Sequence, residues 1–170
     1  ITITDADQVI NLTANNNAQA GAGIIQVAGP GLNTRYVMPE PSSPFWNNAV
    51  SITEGRGLSV NVQIVNQGKM DGWGQIILNI PGYTEGQTTY TSSSNSFEYM
   101  MEGPGGWTRL MSGDKEITIV VTKNGDAYTF KIVNAEGELI DRSLGLDYEN
   151  AMTVKYSTEF TAKGGVFSPE

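Results

Sequence analysis

The side chains able to do covalent chemistry are few, and what is missing narrows the field first. The 170-residue chain contains no histidine and no cysteine. That removes the commonest general base, the serine–histidine–aspartate arrangement, the usual zinc and copper ligands, and any thiolate nucleophile. It also removes a disulfide framework, leaving stability to the core alone. Carboxylates remain, and glycoside hydrolysis needs only two of them. Glu98 with Glu102, or Asp141 with Asp147 and Glu149, are the pairs to inspect. No phosphate-binding loop is present, and Gly103-Pro104-Gly105-Gly106 reads as a turn. The expectation is a protein that is not an enzyme.

Binding chemistry is better supplied. Trp46, Trp73 and Trp107 each stand beside turn residues, with Tyr83 in a similar setting. Exposed indoles stack on the apolar C–H faces of sugar rings while amide and carboxylate groups bind the hydroxyls. The competing reading is that tryptophans near strand ends merely close the bottom of a core. Hard oxygen ligands suit calcium, and Asp5, Asp7 and Asp71 are the ligand candidates, although no twelve-residue calcium loop exists. Phe97-Glu98-Tyr99 resembles a strand of the jelly-roll xylanases, whose other signatures this chain lacks.

The formal net charge of −8, with only ten Lys and Arg, argues against nucleic acid. No stretch approaches the roughly 18 apolar residues of a spanning helix. The charged fraction is only 16%, and Asn, Gln, Ser and Thr dominate the polar positions. Together with the lack of cysteine and a start at Ile1 without a basic-then-apolar leader, this suggests a secreted prokaryotic protein, extracellular or on the cell surface. A domain cut from a longer chain would read the same way.

The elements that must position these groups are strands. Leu58, Val60, Val62 and Ile64 alternate with polar residues, and Ala151–Ala162 repeats the pattern. Asn124-Gly125 marks a two-residue hairpin turn that would pair Val121 with Tyr128, Ile119 with Phe130 and Ile117 with Ile132. Ala135-Glu136-Gly137 reads as a second turn. Further strands are expected at Ile24–Ala28, Ala49–Thr53, Trp73–Ile80, Gln87–Thr91 and Phe97–Met101, with prolines confined to connections. Short strands at this spacing predict an all-β, single-domain, two-sheet β-sandwich, jelly-roll-like, over residues 24–170.

Residues 1–23 are expected to form an extended strand and a flexible segment, a possible donor strand. Ile1, Ile3, Val9, Ile10 and Leu12 give this end β-prone, largely alternating side chains ahead of the Asn- and Ala-rich run 15–23. Such a strand can leave its own domain and complete the open sheet of a neighbour, and head-to-tail donation of this kind builds filaments. The layout is similar to that of donor-strand subunits of bacterial and archaeal surface filaments. The expected function is therefore a self-assembling structural subunit of a filament, tube or lattice, with copies of itself as partners. The alternative is a non-catalytic carbohydrate-binding module acting through the aromatic residues named above.

Overall fold

The computed structural model describes residues 23–38, 48–53, 56–65, 73–103, 106–125 and 127–163. They form eleven strands: β1 (Gly23–Gly29), β2 (Leu32–Met38), β3 (Asn48–Thr53), β4 (Gly57–Val65), β5 (Trp73–Ile80), β6 (Thr89–Ser92), β7 (Ser96–Gly103), β8 (Gly106–Met111), β9 (Ile117–Asn124), β10 (Ala127–Asp141) and β11 (Met152–Lys163). A single 3₁₀ turn, Arg142–Leu144, follows β10. Every pairing is antiparallel. The all-β expectation is met, and the strands are joined in one hydrogen-bonded network with the order β2-β1-β11-β10-β8-β7-β5-β4-β3.

The network branches at β10. One edge of β10 carries β11 along most of its length. The other edge is shared, with β9 against Ala127–Lys131 and β8 against Glu138–Asp141. Between the two lies a bulge, where the register to β11 slips between Ile132 and Ala135. Asn134 takes φ +51° there, and its N–H donates to the Ser157 hydroxyl at 2.8 Å. A bulge sharpens local twist and lets one strand serve two directions.

This corrects the second expected turn. Ala135-Glu136-Gly137 does not reverse the chain; β10 runs straight through it. Gly137 is required for close approach instead. A Cβ there would stand 2.8 Å from the Met111 carbonyl oxygen and 2.8 Å from the Tyr156 ring.

The first turn is a correction of register. The hairpin joins β9 and β10, but Asn124 pairs with Ala127 and Val121 faces Phe130 rather than Tyr128. Asn124 is retained in the strand, and Gly125 takes the left-handed φ of +65°. The slip is two residues, an even number, so the faces are unchanged. Ile117, Ile119, Val121, Tyr128, Phe130 and Ile132 are all buried. Two strands, β2 and β8, were not expected from the sequence; β2 returns from a tight hairpin at Pro30-Gly31, and β8 returns along β7 from the pairing of Gly103 with Gly106.

The core joins the two branches. Phe97 of β7 stacks on Tyr156 of β11 at 5.6 Å and lies 6.0 Å from Phe160, which in turn meets Phe130 at 5.3 Å. Aliphatic residues Leu58, Val60, Ile76, Leu78, Ile80 and Leu110 line the inner face of β4, β5 and β8. Buried polar groups are held by specific partners. The Asn95 amide donates to the carbonyls of Tyr90 and Ile117 at 3.1 and 3.3 Å. The Ser112 hydroxyl accepts the Phe97 N–H at 2.9 Å. Asp141 accepts from the N–H and hydroxyl of Ser143, capping the 3₁₀ turn.

Candidate binding face

Strand alternation sends every second residue of β5, β7 and β8 away from this core. Ile76, Leu78, Phe97, Tyr99 and Leu110 point in and are buried. Gln75, Ile77, Glu98, Met100, Arg109 and Met111 point out, yet all remain half-buried. Directly opposed residues of an antiparallel pair share a face, so the register sorts these outward positions into rows. Glu102 and Trp107 make one row, Gln75, Met100 and Arg109 the next, and Ile77, Glu98 and Met111 the third.

The rows carry their own polar network. Arg109 Nε donates to Glu98 at 3.0 Å, and its Nη1 lies 3.4 Å from the exposed Tyr148 hydroxyl. Burial opposes the charge on Arg109, but the hydrogen bonds it donates to Glu98 and Tyr148 outweigh it and raise its pKa above the ordinary value. Farther along, Asn79 accepts from Ser59 at 2.9 Å and donates to Ser96 at 3.1 Å. The face is therefore ordered at its polar positions, and Glu102 at its end is exposed.

The expected site residues divide clearly. Trp73 and Trp107, 34 residues apart in sequence, both stand opposite Glu102. Trp107 is half-buried on the outward face. Tyr83 lies elsewhere, packed against the core and stacked on Tyr90 at 5.5 Å. Trp46, the calcium candidates Asp5, Asp7 and Asp71, and the assembly residues Ile1, Ile3, Val9, Ile10 and Leu12 lie outside the described residues.

The carboxylate pairs also separate. Glu98 is paired with Arg109. Asp141 is buried, whereas Asp147 accepts the backbone N–H groups of Glu149 and Asn150 in a turn. Among the described residues no three acidic side chains gather as a metal cluster would require. Sequence reasoning did not single out Arg109 or Gln75; only the strand register places them on the outward face that Trp107 shares.

A second feature lies at the sheet margin. β3 closes the strand order, and among the described residues it has a neighbour on one edge only. Ile52 on β3 opposes Leu58 and so shares the core-facing side. Leu58 is 1% exposed, while Ile52 is 54% exposed. An apolar group on the inner side of a terminal strand is thus left showing.

In comparisons with known proteins, no family model, no curated protein and no solved structure matches this chain.

Proposed function

We propose that this protein is a non-enzymatic, secreted structural subunit that polymerises by β-strand addition between copies. The observation that carries the reading is the uncovered Ile52 on the open edge of β3. A strand added at that edge would pair with the backbone groups of β3 that have no strand neighbour among the described residues, and bring an apolar side chain over Ile52. The amino-terminal sequence supplies a segment of suitable pattern. Ile1 and Ile3, and again Ile10 and Leu12, present apolar side chains at the spacing of two that one strand face needs. Donation from each subunit to the next is head-to-tail and continues without closing.

The folded-over network serves this reading as a jelly-roll-like sandwich, with the stacking of Phe97 on Tyr156 and Phe160 as its support. In such a subunit the core would remain complete while one edge stays available. The sequence's lack of histidine and cysteine fits a protein whose work is adhesion between copies rather than turnover.

The test is the assembly state of three proteins in electron micrographs and by sedimentation. The full chain is expected to form filaments. A chain lacking residues 1–13 should keep its β-sheet circular-dichroism spectrum and sediment as a monomer. Ile52→Lys, which places a charge against the incoming strand, should behave like the truncation. Filaments that persist in the truncated chain would refute strand donation.

A further inference from the structure

We propose that Asn124-Gly125, at the tip of the β9–β10 hairpin, is a site of spontaneous main-chain modification through a cyclic imide. The site is separate from the β3 edge and does not depend on assembly. It is the one Asn-Gly pair in the sequence. Asn124 ends β9 and pairs with Ala127, so it closes the hairpin. Asn124 and Gly125 are both exposed to water.

The chemistry needs an asparagine amide followed by an unhindered main-chain nitrogen. The Gly125 nitrogen attacks Asn124 Cγ and gives up its proton. The bond from Cγ to Nδ2 breaks and ammonia leaves with that proton, which closes a five-membered imide. Water then opens the ring, adding its hydroxyl to a carbonyl carbon and its hydrogen to the nitrogen. Opening at the side-chain carbonyl leaves aspartate. Opening at the main-chain carbonyl leaves isoaspartate, whose backbone runs through the former side chain. No oxidant or reductant is consumed.

The surroundings favour this pair over the other asparagines. Gly125 brings no side chain against the closing ring, and even an added Cβ would meet nothing within 4 Å. Among the described residues no side-chain hydrogen bond restrains the Asn124 amide, whereas those of Asn79, Asn95 and Asn150 are held. Each of those three is also followed by a residue with a side chain: Ile80, Ser96 or Ala151.

The position in the fold sets the rate. Ring closure turns the Asn124 main chain out of the extended conformation of a strand, so the pair with Ala127 must open first. Opening the last pair of a hairpin is fraying, which takes little free energy, whereas exposing Phe130 and Phe160 takes the stability of the whole core. A reaction that waited for global unfolding would trail the free peptide by roughly a thousandfold or more. A reaction through fraying stays far closer to it.

Both products alter the tip. Aspartate adds a carboxylate next to Lys123, whose ammonium lies 4.0 Å from Glu85 and 5.5 Å from the centre of the Tyr128 ring. Isoaspartate adds a methylene to the main chain at the pair that ends the ladder, so the tip no longer closes in the same register.

The experiment ages the full chain in warm, mildly alkaline buffer beside a synthetic peptide spanning residues 120–129. Tryptic peptides carrying position 124 are followed by mass spectrometry, with electron-transfer fragmentation to tell aspartate from isoaspartate. Both products are expected, at a rate within about a hundredfold of the free peptide. Asn79, Asn95 and Asn150 should keep their amides over the same time. Asn124→Gln, which would need a six-membered ring, should show no conversion at that position. Gly125→Ala should convert several-fold more slowly than the parent. Its φ of +65° disfavours alanine, so circular dichroism accompanies it; if it does not fold, Asn124→Gln and the comparison with the peptide decide. The site is overturned if the folded chain trails the peptide by more than about a hundredfold, or if folded Gly125→Ala converts as fast as the parent.

Discussion

The two branches that meet at β10 treat their aromatic residues in opposite ways. Around β9, β10 and β11 the rings are inside: Tyr128, Phe130, Tyr156 and Phe160 are buried, and the outer surface carries hydroxyls and charges with Val120 and Val133 exposed among them. Thr91 bonds Thr118 at 2.8 Å and Thr129 bonds Thr161 at 3.2 Å on that outer side. Around β5, β7 and β8 the inner face is mostly aliphatic, with Phe97 and Tyr99 its aromatic members, and an indole stands on the outside. Rings that hold the two branches together are spent on stability. The Trp107 ring stands on the outer face, away from that stack.

That contrast can be broken most forcefully by one substitution on each side. Phe160→Ala removes a fully buried ring from the centre of the aromatic stack and should destabilise the fold by about 3–5 kcal/mol in urea titration. Trp107→Ala, half-buried on the outer face, should lose only roughly 1–2 kcal/mol by the same measurement. Equal losses would mean that the outward indole is a structural residue after all.

Smaller effects sharpen the comparison. Asn95→Ala leaves the carbonyls of Tyr90 and Ile117 without their shared donor and should cost about 1–3 kcal/mol in urea unfolding. On the outer face, the Glu98–Arg109 pair is partly screened by solvent. A double-mutant cycle with Glu98→Gln and Arg109→Met should return a coupling of about 1 kcal/mol or less, shrinking with added salt.

The buried tyrosines give an alkaline test. Burial, aided by nearby Asp141, raises Tyr99 from 10.0 to about 12, and burial alone raises Tyr156 further. A raised folded-state pKa adds stability below the unfolded value, and that stability is lost as pH climbs through the folded one. Stability should therefore fall between pH 10 and about 12 for Tyr99, and Tyr99→Phe should flatten that fall in thermal melts taken across the range. The smallest change is expected from Tyr156→Phe at neutral pH. The Tyr156 hydroxyl is buried with no hydrogen-bond partner among the described residues, so its removal should leave stability within about 0.5 kcal/mol or raise it slightly.

Much of the fold was legible because period-two patterning needs no knowledge of partners. Ile24–Ala28 and Trp73–Ile80 lie in β1 and β5 almost residue for residue. The hairpin at Asn124-Gly125 was placed correctly on its apolar face and wrongly in register, since Asn tolerates both the turn and the strand. Ala135-Glu136-Gly137 misled for a related reason: small residues and glycine mark bulges and close approaches as well as turns. β8 escaped notice because its Gly106–Met111 stretch is half-buried on both sides and shows little alternation.

The candidate site was legible only in part. Composition picked out Trp73 and Trp107, but nothing local to either says that each faces Glu102. That fact belongs to the register of three strands, which no single window contains. The same register shows Glu98 tied to Arg109, which the suggestion of a carboxylate pair had no means to anticipate.

β10 has a mechanical consequence. Its backbone is bonded to β11 on one side and to both β9 and β8 on the other, so both branches are anchored, at different stretches, on one continuous strand. Heat should melt the two branches in one step, with calorimetric and van't Hoff enthalpies in agreement. A pull applied at the β3 margin would reach the opposite margin through the amides of a single continuous strand.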